Sequence, residues 1–284
     1  MKIVDRIKRG GAVGGMAAPS LREQRNMLCD KMNFSAAEAY KMLRTNLMFA
    51  LPDEKHCRIV GVTSSLRSEG KSTTSINLAY TLAETGKEVL LIDADMRLPS
   101  VAKKLALTQS PGLSNVLAGL CETDDVLQIP LSMENWKVIP AGDIPPNPSE
   151  LLGSEQMHMM LKSMAEKFDF IVVDLPPVNI VSDAMVLSNW IDGLLVVVRQ
   201  GYSDRQSLSA CMNKLSVLQS KVLGFVMTDV AEKEKEYGGK YGKYYKKHGY
   251  GYGYGYGYGY GYANAAQKDG NSSDMADADR EEKA

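Results

Sequence analysis

The sequence predicts an α/β fold: a doubly wound, mainly parallel sheet with helices on both faces, followed by a disordered C-terminal tail rich in tyrosine and glycine. Three observations predict it. Short aliphatic and β-branched runs alternate with helical patterns between about residue 34 and residue 230. Most of those runs are continuously apolar instead of alternating, as strands covered on both faces require. Beyond residue 230 the composition collapses to Lys, Glu, Gly and Tyr. A Gly-Tyr repeat cannot build a core, because every second residue lacks a side chain and the chain is costly to order.

In chain order, residues 1–33 form a basic, Gly-containing arm. "SAAEAYKMLRTNL" then reads as a helix, with Ser35 and Glu38 spaced as a capping box. Strands are expected at "RIVGVTS" from Arg58, "EVLLID" from Glu88, "WKVIPAG" from Trp136, "FDFIVVD" from Phe168, "GLLVVVR" from Gly193 and "KVLGFVMTD" from Lys221. Between the first two lies the helical "STTSINLAYTLAETG", with Gly86 as its C′ residue. Three zones follow: the arm 1–33, a folded domain 34–230, and a flexible tail 231–284 with an acidic terminus. Seven consecutive Gly-Tyr pairs end at Tyr262, and eleven of the fourteen tyrosines fall between Tyr237 and Tyr262.

A net charge of −1 argues against nucleic acid as a partner. Cys29, Cys57, Cys121 and Cys211 contain no CxxC pair, which suits reduced thiols better than a disulfide framework or a zinc site. No apolar run approaches the roughly 18 residues that span a bilayer, and the basic start lacks an apolar signal core, so a soluble intracellular protein is expected.

Doubly wound sheets bind ligands outside the carboxyl ends of their strands. After the first strand comes "SSLRSEGKSTT", in which Gly70, Lys71 and Ser72 lie between a strand and a helix. That is the context of a phosphate-binding loop, whose amides and lysine hold phosphate oxygens and whose hydroxyl serves Mg²⁺. Ser65 replaces the usual first glycine of the pattern. After the second strand, Asp93 and Asp95 leave "LLIDADMR", and Asp174 ends "FIVVD". Each aspartate alone could be a helix cap or turn residue. Together, at neighbouring strand ends, they suit Mg²⁺ organisation opposite the loop.

The set Glu69–Thr73, "LLIDADMR" and "FIVVDLPP" resembles the Walker A, A′ and B motifs of the bacterial protein-tyrosine kinases (BY-kinases), over roughly residues 34–230. "IPPNPSELL" from Ile144 and "DAMVLSNWIDGLLVVVRQG" from Asp183 are similar to that family too. The resemblance implies a P-loop kinase using ATP and Mg²⁺, unrelated in fold to eukaryotic kinases, whose "HRD" and "DFG" are absent. On this reading Glu69, Gly70, Lys71, Ser72 and Thr73 bind nucleotide, and Ser72, Asp95 and Asp174 serve the metal. Lys71, Asp95 and Asp93 are catalytic, with Asp93 as base for the tyrosine hydroxyl.

On the same reading the expected phosphate acceptors are Tyr237, Tyr241, Tyr244, Tyr245, Tyr250, Tyr252, Tyr254, Tyr256, Tyr258, Tyr260 and Tyr262. Taken alone, the repeat reads as readily as a cohesive low-complexity segment, and a third reading is an inert spacer. Glu38, Lys41 and Arg44 resemble a subunit-contact motif, which implies a homo-oligomeric ring. The family also implies a separate transmembrane activator that recruits the kinase to the inner face of the cell membrane. A tyrosine phosphatase, other protein substrates and control of capsule or exopolysaccharide synthesis follow from it as well. Lys2, Arg6, Lys8 and Arg9 read as a solvated arm or as an aid to membrane contact.

The sequence departs from the family at Arg67 and Ser68, where a Pro-Gly pair is usual. It also departs at Lys41 in place of Arg, at Leu175 in place of a small hydroxyl residue, and at "MTD" where an Asn is common. The rival reading is a ParA- or MinD-like ATPase switch without kinase activity. Those proteins carry a signature lysine five residues before the loop lysine, where this chain has Leu66.

Overall fold

The protein is described by a computed structural model covering residues 32, 34–51, 57–217 and 220–230. Strands β1 (Arg58–Ser64), β2 (Val89–Asp93), β3 (Trp136–Ile139), β4 (Phe170–Asp174), β5 (Gly193–Arg199) and β6 (Val222–Thr228) form one sheet in the order β3-β2-β4-β1-β5-β6. Every strand pairing is parallel. The first and fifth strands have the bounds their apolar runs predict, and the others lose one to three residues at their ends.

The helices are α1 (Phe34–Ala50), α2 (Lys71–Ala83), α3 (Val101–Leu105), α4 (Leu113–Leu117), α5 (Pro148–Leu152), α6 (Glu155–Ala165), α7 (Asp183–Val186) and α8 (Arg205–Val217). Successive residues of one strand serve opposite cores, which is why the runs are continuously apolar. On one face Val60, Val62, Leu91 and Val172 pack with Leu47 of α1 and Ile76 and Leu82 of α2. On the other, Leu90, Ile92, Ile171 and Val173 pack with Met157, Met160 and Leu161 of α6 and with Cys211 and Leu215 of α8. Each fully buried aliphatic side chain of this kind contributes roughly 1.5–3 kcal/mol.

Strand β6 departs from the expectation of two covered faces. It is the sheet edge, and Phe225 and Met227 are 55% and 60% exposed. Gly86, at φ 80°, ends the turn after α2 with its N–H donating to the Ala83 carbonyl (2.9 Å), one position beyond the C′ place expected of it, because Glu84 is the C-cap. The capping box at Ser35 is corrected: α1 begins at Phe34, so Ser35 lies inside the helix and Glu38 turns to Lys41 instead.

Topology gathers the chemistry at one edge. β2, β4 and β1 are adjacent, and Asp93 and Asp174 are register partners on neighbouring strands. The loop 65–70 leaves β1 beside them and runs straight into α2. Among the described residues no helix is long and apolar enough to cross a membrane.

Candidate active site

The loop between β1 and α2 closes on the first turn of α2, where free backbone N–H groups and the helix dipole favour an anion. Gly70 takes the left-handed conformation (φ 98°), and a Cβ there would lie 3.2 Å from the Thr228 methyl. The Thr228 hydroxyl donates to the Glu69 carbonyl (2.7 Å), so the end of β6 braces the loop.

The Glu69 carboxylate turns inward and is fully buried. It accepts from the Ser65 hydroxyl (3.0 Å), from the Leu66 N–H (2.7 Å) and from the Ser203 hydroxyl. Its side chain is thus a strut beneath the loop, and only the loop backbone around it faces the cleft. Ser65, which replaces a glycine, is part of that strut.

Asp95 faces the cleft, and its Oδ2 lies 3.5 Å from the Lys71 ammonium. Asp174 is fully buried, with Oδ1 accepting from the Ser75 hydroxyl (3.0 Å). Its Oδ2 has no hydrogen-bond partner among the described residues. Burial raises the Asp174 pKa, and Asp95 adds to the rise, while the Lys71 charge and the Ser72 and Ser75 hydroxyls oppose it.

Asp93 is fully buried as well. Its Oδ1 accepts from the Asp95 N–H (3.2 Å), and its Oδ2 from the N–H groups of Ser100 and Val101 (both 3.1 Å). These contacts hold the start of α3, which is the capping alternative that the sequence offered. Burial, then the Asp174 and Asp95 charges, push the Asp93 pKa well above the ordinary carboxylate value, and the amides only partly offset them.

The cleft encloses about 630 Å³. Gly70, Lys71, Ser72, Thr73 and Asp95 line it, as the sequence placed them, whereas Asp93 and Asp174 sit behind. Sequence reasoning missed Tyr40, Lys104, Arg199, Thr228 and Asp229 of the same lining. Lys104 donates to the Thr73 hydroxyl (2.9 Å), and Arg199 pairs with Asp229 (3.0 Å) while donating to the Ser68 carbonyl (3.3 Å). Arg199 and "MTD" stood in the quoted motifs, and their position after adjacent parallel strands was the available signal. Arg97 forms a two-pronged pair with buried Asp183 (3.0 and 3.3 Å), which also accepts from the Ser149 hydroxyl. That contact ties "DADMR", "PSELL" and "DAMV" into one network.

The α1 residues are engaged within the chain. Lys41 and Glu38 pair at 2.8 Å, with both side chains about half exposed, and Arg44 donates to the Thr81 carbonyl of α2 (2.6 Å). The eleven tail tyrosines lie outside the described residues.

The oxygen donors fit a hard divalent cation such as Mg²⁺. Asp174 Oδ2 is an orphaned buried acceptor, and Asp95 and the Ser72 hydroxyl stand at the cleft side of it.

A strand-loop-helix phosphate cradle facing aspartates on adjacent strands defines a P-loop nucleotide-binding domain. Residues 58–224 match the AAA domain family. The chain is 36% identical over 219 residues to tyrosine-protein kinase YwqD of Bacillus subtilis, covering 76% of this chain and 92% of that protein. It matches the kinase domain of Escherichia coli tyrosine kinase ETK with a TM-score of 0.66 at 32% identity, over 78% of this chain and 81% of that one. The chain belongs to the bacterial tyrosine-protein kinase family. The septum site-determining protein MinD of Pyrococcus horikoshii shares the fold, with a TM-score of 0.52 at 24% identity over 63% of this chain and 72% of that one.

Ser68 holds φ 60°, a conformation that costs a residue with a Cβ roughly 1–2 kcal/mol and glycine much less. Ser68→Gly should stabilise the ligand-free chain by up to about 1 kcal/mol in denaturant unfolding; a loss of stability would show that the serine side chain is itself bonded. The raised pKa values of Asp93 and Asp174 mean that the folded chain holds protons which the unfolded chain, at 3.8, has released. These groups favour folding most in acid, and their contribution falls as pH rises through the raised values. Asp174→Asn should therefore raise the thermal midpoint of the ligand-free chain near neutral pH, with the gain shrinking in acid. A fall of equal size at both pH values would contradict this.

Proposed function

We propose that the cleft binds ATP and Mg²⁺ and transfers the terminal phosphoryl group to tyrosine hydroxyls, including those of the chain's own tail. The observation that carries this reading is the pairing of Lys71 and Asp95 with the orphaned Asp174 oxygen at one sheet edge, in a chain 36% identical to a tyrosine-protein kinase.

Lys71 and the loop amides hold the β- and γ-phosphates, and Thr73 with Lys104 takes the side nearer the α-phosphate. Ser72 would hold the cation through its hydroxyl, with Asp95 and Asp174 as the carboxylates that would orient it. When bound, Mg²⁺ supplies neutralisation of phosphate charge and a fixed orientation for the polyphosphate. A phenol oxygen forms a bond to the γ-phosphorus as the bond to the β–γ bridging oxygen breaks, and ADP leaves. The phenol, with pKa near 10, passes its proton to the Asp93–Asp95 pair. Burial and the neighbouring charges make Asp93 a stronger base than a free carboxylate, while Asp95 is the member open to the cleft. Direct use of Asp93 requires the Ser100 and Val101 amides to release it.

The tail is proposed as the acceptor because it follows Asp229, which itself lines the cleft. Treated as a Gly-rich coil, the stretch to Tyr262 has a root-mean-square reach of roughly 30 Å, enough to bring tyrosines to this cleft or to that of a neighbouring copy. Each phosphotyrosine adds about −1.5 to −2 charges. Several would reverse the sign of the stretch that holds Lys240, Lys243, Lys246 and Lys247 and would drive packed tails apart. The wider proposal is a homo-oligomer, with Glu38, Lys41 and Arg44 at or near the contact. A membrane activator recruits it, a tyrosine phosphatase resets it, and polysaccharide polymerisation and export is the regulated process.

The test is transfer of radiolabel from γ-labelled ATP to full-length protein with Mg²⁺ and the activator's cytoplasmic segment. Wild type should label on tyrosine, and Lys71→Met should lose the label by more than about 100-fold. A full-length chain with all eleven tail tyrosines changed to Phe should keep nucleotide binding and lose self-labelling. Hydrolysis of ATP without any phosphotyrosine would point to the ATPase-switch alternative, and label retained by Lys71→Met would remove Lys71 from the mechanism.

A further inference from the structure

The cleft is lined by four cationic side chains, and three are committed within the chain. Lys71 stands 3.5 Å from Asp95, Lys104 donates to the Thr73 hydroxyl at 2.9 Å, and Arg199 pairs with Asp229 at 3.0 Å. Arg67 is the exception. It lines the same cleft, is exposed, and makes no ion pair or hydrogen bond among the described residues. It also belongs to the phosphate loop itself, four residues before Lys71.

Its position along that loop selects its target. Thr73 and Lys104 mark the side of the cradle where α2 begins, the side that the proposed function assigns to the inner phosphates. Arg67 is at the other end of the loop, before the left-handed turn at Ser68 and Gly70 that folds the backbone back into the helix. A triphosphate gripped by Lys71 therefore presents its outermost group toward Arg67. The neighbouring Glu69 carboxylate, which would otherwise neutralise a guanidinium on this loop, is held inward by Ser65, Leu66 and Ser203.

We propose that Arg67 contacts the transferable γ-phosphoryl group from within the nucleotide's own loop and stabilises the charge that spreads over its oxygens during transfer. The inference rests on the kinase reading of the cleft. A planar guanidinium suits this task because it offers parallel N–H donors to two phosphate oxygens and stays charged throughout. An arginine that meets the phosphoryl group only at this point works on the rate more than on the affinity of the product. ADP, which lacks the group, leaves Arg67 without a partner.

The test compares wild type, Arg67→Gln and Arg67→Lys as full-length protein, each first checked for an unchanged thermal midpoint. Calorimetric titration with ADP and with a non-hydrolysable ATP analogue, both with Mg²⁺, reads the contact without any turnover. Arg67→Gln should weaken the triphosphate analogue about 10-fold while leaving ADP within about 2-fold. Phosphotyrosine formation should fall about 100-fold or more in kcat, with Arg67→Lys between the two. Equal weakening of both nucleotides, or no weakening of either with a raised KM for an acidic tyrosine peptide, overturns the proposal. If wild type forms no phosphotyrosine, the kinase reading fails, and the ADP-against-triphosphate comparison still decides whether Arg67 meets the terminal phosphate.

Discussion

Three carboxylates meet at the C-terminal ends of two adjacent strands, with the Lys71 ammonium as the nearest positive charge. Asp93 and Asp174 are register partners and both are fully buried, and Asp95 is two residues from Asp93. Burying like charges this close costs free energy, and the chain offsets only part of it. Asp93 takes three backbone amides, Asp174 takes the Ser75 hydroxyl, and Asp95 shares Lys71, but Asp174 Oδ2 has no hydrogen-bond partner among the described residues. A fold that keeps an unmet acceptor at its sheet edge is less stable than it need be, and on the proposed reading a hard cation bound with its polyphosphate would remove that deficit. The rest of the architecture serves to hold this arrangement in place.

The supports come from every neighbouring strand. β6 delivers Thr228 to the Glu69 carbonyl, the β5–α8 loop delivers Ser203 to the Glu69 carboxylate, and β5 delivers Arg199 to the Ser68 carbonyl. These contacts account for how a loop with serine at two glycine positions keeps its shape. Ser65 becomes a donor to the internal strut, and Ser68 accepts a left-handed backbone that its surroundings fix from both sides. On the far flank, the Arg97–Asp183–Ser149 network holds the turn that carries Asp95.

The sheet was legible because burial on both faces writes itself as uninterrupted apolar runs, and β1 and β5 have the bounds those runs imply. The meeting of Asp93, Asp95 and Asp174 with Lys71 was legible too, since parallel strands deliver their carboxyl ends to one edge. What the sequence hid were closures between distant segments. Glu69 read as a nucleotide contact, yet its carboxylate faces inward to Ser203, 134 residues away. Arg44 anchors α1 on the Thr81 carbonyl of α2, a contact that no local pattern shows, and Ser35 fell inside the helix it was expected to cap. The exposure of β6 depends on strand order, which no local pattern records.

Completion of the aspartate cluster by a cation is the feature on which the proposed chemistry depends. Calorimetric titration of ATP into the full-length chain, with and without Mg²⁺ and in two buffers of different ionisation enthalpy, measures this directly. Because burial raises the Asp174 pKa, a cation held there favours the ionised carboxylate and draws off whatever proton it carries. The account predicts Mg²⁺-dependent binding with net proton release that grows as pH falls from neutral into mild acid. Equal affinity without Mg²⁺, and identical heats in the two buffers at every pH, would contradict it.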